Sequence, residues 1–132
     1  MSERSEPIWL DVREALAIHD RQLAEHGGAS GLRDGGALAS ALARPQNRWA
    51  YGEDDRCALA AFYAFGIARN HPFSDGNKRT AWVVARLFLA INRITIRFGK
   101  EDAIVQVLTL AAGELGEEEL ADWFREHLVP EG

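Results

Sequence analysis

The sequence predicts an all-α fold, a compact helical bundle of about six helices with at most a minor short extended segment. Three observations predict it. Apolar residues recur at helical spacing over most of the chain, capping residues and Gly or Pro stops fall at helix-length intervals, and only one stretch alternates like a strand.

Asp11 followed by Glu14 reads as a capping box, and Gly27-Gly28 stops the helix that it opens. Val12, Leu16, His19 and Leu23 share one face of that helix, which makes His19 a packing residue at the boundary of the core. His26 suits the helix C-terminus. Asp34 caps a second, short helix bearing Leu38 and Leu42, expected to end near Pro45. From Asn47 to Gly52 no period is visible, and Trp49 and Tyr51 are expected to pack on the globule rather than form a partner-binding flap.

Asp54 or Asp55 starts a third helix that runs to about Asn70, with Leu59, Ala61, Phe62, Phe65 and Ile67 spread around most of its circumference. Such a helix is central. A fourth runs from the turn at Gly76-Asn77 to about Asn92 and is also apolar nearly all round. Ile94 to Phe98 alternates but has no second strand to pair with. Helices near Glu101–Ala112 and Glu117–Leu128 complete the chain, the last with Leu120, Trp123, Phe124 and His127 on one face.

Composition bounds the rest. The 132 residues make one domain with one sizeable core. A formal net charge of −5 argues against general nucleic-acid binding, which needs a basic face. The lone Cys57 excludes an intrachain disulfide and fits a reducing cytoplasm. Met1 to Glu6 is polar with no apolar region after it, and the longest apolar run, Ala81 to Ile91, is too short to span a bilayer. A cytoplasmic protein without a membrane segment is expected.

The chemistry is concentrated in His71-Pro72-Phe73-Ser74-Asp75-Gly76-Asn77-Lys78-Arg79-Thr80. Pro72 disfavours helical geometry at His71, so the third helix ends there. Gly76-Asn77 opens the fourth helix, whose first N–H groups make an anion site. Lys78 and Arg79 add charge to it, although two cations at a helix N-terminus are locally unfavourable unless an anion sits among them. Asp75 is a hard oxygen ligand suited to Mg²⁺, and His71 titrates near neutrality and can take a proton from a hydroxyl. Phe73 anchors the loop in the core. Together these residues describe a phosphate-handling active site.

The same stretch resembles the signature of the Fic/Doc family, His-x-Phe-x-Asp/Glu-Gly/Ala-Asn-Gly/Lys-Arg, at every fixed position. Gly31 to Asp34, followed by Leu38 to Pro45, resembles the N-terminal part of its death-on-curing (Doc) branch, and the similarity extends from about Ile8 to Leu128. The resemblance implies a compact helical fold with His71 as general base and Asp75 holding Mg²⁺ against the nucleotide. It also implies that Phe73, Gly76, Asn77, Lys78 and Arg79 form the nucleotide-binding segment for ATP.

Family members of the Fic type transfer AMP and carry a small residue at the position of Lys78; the Doc branch has lysine there and transfers the γ-phosphoryl group. Lys78 therefore favours phosphorylation of a protein Ser, Thr or Tyr hydroxyl, with adenylylation as the alternative and a non-catalytic nucleotide- or peptide-binding module behind both. The implied biology is a toxin of a toxin–antitoxin pair, with elongation factor Tu as the branch's class of target and a cognate antitoxin as partner. That antitoxin is expected to lay an amphipathic helix beside the loop. The string Ser30 to Gly35 approaches the inhibitory segment of some Fic proteins but has Asp34 where they have glutamate, and is read as coincidence.

Overall fold

A computed structural model describes residues 4–114 and 116–130, with the side chain of residue 111 outside the description. Residues 1–3 of the polar N-terminal stretch lie outside the described residues. Six helices follow one another: α1 (Val12–His26), α2 (Gly35–Ala50), α3 (Arg56–Asn70), α4 (Asn77–Ile91), α5 (Lys100–Ala111) and α6 (Glu117–Glu126). No helix among the described residues is long and apolar enough to cross a membrane.

The helix starts follow the capping chemistry. Asp11 accepts from the Glu14 N–H at 3.0 Å while the Glu14 carboxylate accepts from the Asp11 N–H at 3.1 Å, a reciprocal pair that satisfies two otherwise orphaned donors. Asp34 accepts from Ala37 N–H, and Asp55 from Cys57 N–H. α3 lies at the centre and packs chiefly against α4, α2 and α6. Its buried residues include Leu59, Tyr63 and Ile67, and α4 faces them with Val84, Phe88 and Leu89. Burial of Cys57 at the start of α3, beside Asp55, pushes its thiol up to about 11, so it packs as a small apolar residue.

Two expectations change. α2 does not stop near Pro45 but continues through it to Ala50, and Pro45 is buried inside it. The missing N–H costs one helical bond, yet the helix packs extensively on α3, close enough that a β-carbon on Gly66 would lie 3.3 Å from the Ala41 Cα. Packing there outweighs the local break. Asn47 to Ala50 is thus the last turn of α2; Trp49 packs edge-on against Trp9, as expected, whereas Tyr51 is 92% exposed.

The extended segment is as small as expected. Ile96 forms one antiparallel bridge with Leu128, flanked by Arg97 N–H to His127 O and Val129 N–H to Thr95 O. In α6, Leu120 and Phe124 are buried, and His127 stacks on Trp123.

The close approach of α2 and α3 is testable. Gly66→Val should lower stability by about 1–3 kcal/mol, because the added methyls meet Ala41 main chain that cannot swing aside. A thermal melt unchanged from the parent would show that the two helices part freely.

Candidate active site

The loop between α3 and α4 is shaped by its own residues. α3 ends at His71, which adopts the left-handed conformation (φ 47°, ψ 55°) in which helices commonly stop. A non-glycine residue pays about 1–2 kcal/mol there. The conformation is held from outside by Arg33, whose guanidinium donates to the His71 carbonyl, 2.9 Å from Nε, and also to the Asn70 carbonyl. Arg33 and Asp34 N–H groups both donate to Pro72 O, Ser74 N–H donates to Gly31 O, and Leu32 bridges Phe73. The stretch that leads into α2 therefore runs antiparallel beside the loop.

Asn77, the first residue of α4, closes the loop. Its Oδ1 accepts from Phe73 N–H at 2.9 Å and its Nδ2 donates to Phe73 O at 3.0 Å. Phe73 itself is 1% exposed, its ring 3.8 Å from that of His19 and nearly parallel to it. As expected of the loop's anchor, Phe73 seats the loop in the core with its ring covered by His19 of α1, and it is not among the residues that line the cleft.

Above this anchor the remaining residues converge. His71, Ser74, Asp75, Gly76, Asn77, Lys78 and Arg79 line a cleft of ≈ 430 Å³, closed on its far side by Val107 and Leu108 of α5. Gly76 is the N-cap in the left-handed conformation (φ 75°), and no side chain caps α4. The unpaired N–H groups of its first turn thus face the cleft end of the helix with Lys78 and Arg79 beside them, which is the arrangement that holds a phosphate. His71 Nδ1 lies 3.5 Å from Asn77 Nδ2, and the imidazole is exposed at the cleft.

Asp75 is aimed by its neighbours. Its Oδ1 accepts from Gly76 N–H at 2.8 Å, and its Oδ2 faces Ala29 N–H at 3.4 Å. Gly28 leaves room for it, since a β-carbon there would lie 2.8 Å from Oδ2. Among the described residues no group of three His, Cys, Asp or Glu gathers around a metal position. A single exposed carboxylate beside a phosphate cradle fits Mg²⁺, which takes one or two carboxylates and completes its shell with phosphate and water.

Helical spacing makes His19 a packing residue at the core boundary, and the structure gives it a second role. It is 3% exposed, its Nε2 lies 2.7 Å from the Asp75 carbonyl, and its ring covers Phe73. Its helical spacing carried the packing half of this role; only the fold brings it to a loop 56 residues away. Asp34 caps α2 rather than reaching Arg79, in keeping with the reading of Ser30 to Gly35 as coincidence.

The same geometry predicts that His19→Ala loosens the loop. The lost hydrogen bond and stacking should cost on the order of 2–4 kcal/mol. Affinity for Mg-ATP should fall with it, as read by titration calorimetry on the folded variant. Parent-level affinity would mean that Asn77 holds the loop unaided.

Known proteins resemble the chain over the region that holds this loop. The sequence profile of the Fic/DOC family matches residues 9–89, which include the whole loop. The chain is 35% identical over 117 residues to a protein of Escherichia phage P1 named protein kinase doc, covering 88% of this chain and 92% of that one. It is 47% identical over 73 residues to a protein of Mycolicibacterium smegmatis named toxin Doc, covering 53% of this chain and 55% of that one. On the profile match and the near full-length similarity, the chain belongs to the Fic/Doc family.

Proposed function

We propose that this protein is a Doc-type toxin that transfers the γ-phosphoryl group of ATP to a hydroxyl of a target protein. The observation that carries the reading is the meeting of His71, Asp75, Lys78 and the uncapped start of α4 on one cleft. The names of the two relatives, one a kinase and one a toxin, support it.

In this reading the N–H groups of the first turn of α4, with Lys78 and Arg79, bind the phosphates. Asp75 holds Mg²⁺, which supplies charge neutralisation at the phosphates when bound. His71 takes the proton of the entering hydroxyl. The hydroxyl oxygen forms a bond to the γ-phosphorus, the bond from that phosphorus to the bridging oxygen breaks, and ADP leaves with the electron pair. Elongation factor Tu is the target class that the Doc resemblance suggests.

A cognate antitoxin has a matching surface. Beside the active cleft, and sharing Arg79, Val107 and Leu108 with it, lies a second cleft of ≈ 650 Å³ lined by Trp82, Phe98 and Ile104 among others. Ile104, Val105 and Leu108 expose apolar side chains on α5. An amphipathic antitoxin helix seated there would cover them and reach the edge of the phosphate site.

The test is incubation with lysate of the native host and Mg-ATP labelled at the α or the γ position. Label from γ alone is expected; label from α means adenylylation. His71→Ala should lose transfer by roughly 10²–10⁴-fold while keeping its fold. Parent-level transfer by that variant would rule out His71 as the base.

Lys78→Gly should reduce γ-transfer about ten- to a hundred-fold, the cost of one charge-assisted hydrogen bond of roughly 1.5–3 kcal/mol. It also leaves room for the reversed nucleotide, so AMP adducts are the product to look for by mass spectrometry. An unchanged rate of phosphorylation would make Lys78 a solvated surface residue.

A further inference from the structure

A groove of ≈ 500 Å³ runs along α2 above α3, lined by Arg44, Arg48, Arg69, Asn47, Asn70 and Tyr51 among others, with no acidic residue in its wall. Aromatic rings hold the arginine heads in place: Arg44 and Arg69 lie 5.6 and 5.2 Å from the centre of Phe65, and Arg48 lies 5.1 Å from that of Phe62. Arg44 pairs with Glu117 of α6, yet its Nε is buried with no hydrogen-bond partner. Among the described residues no carboxylate lies within ion-pair distance of Arg48 or Arg69. Arg44 is matched by Glu117 and Arg48 also lines a neighbouring cleft with Glu53, Glu118 and Asp122, so among the described residues Arg48 and Arg69 are the groove cations without an ion-paired carboxylate.

The groove also leads to the active loop. Its last residue, Asn70, precedes His71, and Arg33 hydrogen-bonds the carbonyls of both, so the groove end and the base are held in one frame.

We propose that this groove docks the protein substrate through an acidic segment flanking the acceptor hydroxyl, its carboxylates pairing with Arg48 and Arg69. Guanidinium forks match carboxylates with two parallel hydrogen bonds. A nucleic acid is the poorer occupant, because it needs a basic face that tracks many phosphates, whereas three arginines in one groove match a short acidic segment. The proposal rests on protein phosphotransfer at His71, and its test separates docking from chemistry.

A fluorescein-labelled peptide with one threonine beside six glutamates, and a matched peptide with glutamines, are titrated by anisotropy. The proteins are the parent, His71→Ala, and the doubly substituted Arg48→Glu/Arg69→Glu. The parent and His71→Ala should bind the glutamate peptide in preference to the glutamine one, more weakly as salt rises. The double charge reversal should weaken binding at least tenfold, while Mg-ATP affinity changes less than twofold. Arg48→Gln/Arg69→Gln, which keeps the side chains polar and adds no negative charge, should lose most of the binding too. Equal binding by the arginine variants, or no preference for glutamate, overturns the proposal. So does a single-stranded RNA oligonucleotide that displaces the peptide at lower concentration than unlabelled peptide does. Docking by the parent with no transfer of γ-label speaks against the reaction and leaves the groove standing, whereas arginine variants that lose docking yet keep transfer speak against the groove.

Discussion

The site depends on one side-chain amide. Asn77 belongs to the first turn of α4, and it holds both main-chain groups of Phe73 across the loop. The amide is buried, so neither bond competes with water, and breaking them would leave polar groups without partners. The loop is thereby fastened to the rigid frame of α4. Phe73, fixed at its backbone, can turn its ring only into the core, where His19 covers it. With that ring seated, Asp75 and His71 both line the cleft.

Several features at this end of the molecule are locally unfavourable. His71 occupies a left-handed conformation without being glycine, and α4 begins with two cations and no cap. The cations oppose the helix dipole by a few tenths of a kcal/mol each, and the backbone costs about 1–2 kcal/mol. What offsets them is the packing further along the same helices, where Ile67, Val84, Phe88 and Leu89 are buried. The core is thus the stable half of a structure whose other half holds the strained loop and the uncapped helix start. That division also explains why the loop joins the two most buried helices and not two peripheral ones.

The second cleft shares its wall with the first through Arg79, Val107 and Leu108. An occupant of one would touch residues lining the other. Were the proposed antitoxin helix to occupy the second cleft, its contact at Arg79 would alter the charge at the first without filling it.

The order and type of the helices could be read from local chemistry, because caps act within three residues and amphipathic period within two turns. Asp11, Asp34 and Asp55 cap where expected, and the loop from His71 to Arg79 carries its own turn geometry. Pro45 misled, because its cost is local while the packing of α2 on α3 is not. What only the tertiary structure decided are the contacts between distant segments. His19 under the loop, Gly28 beside Asp75, Arg33 on the His71 carbonyl and the arginine groove of α2 and α3 each join residues whose spacing has no period to reveal them. Such pairs are set by how the helices pack, which no local propensity encodes.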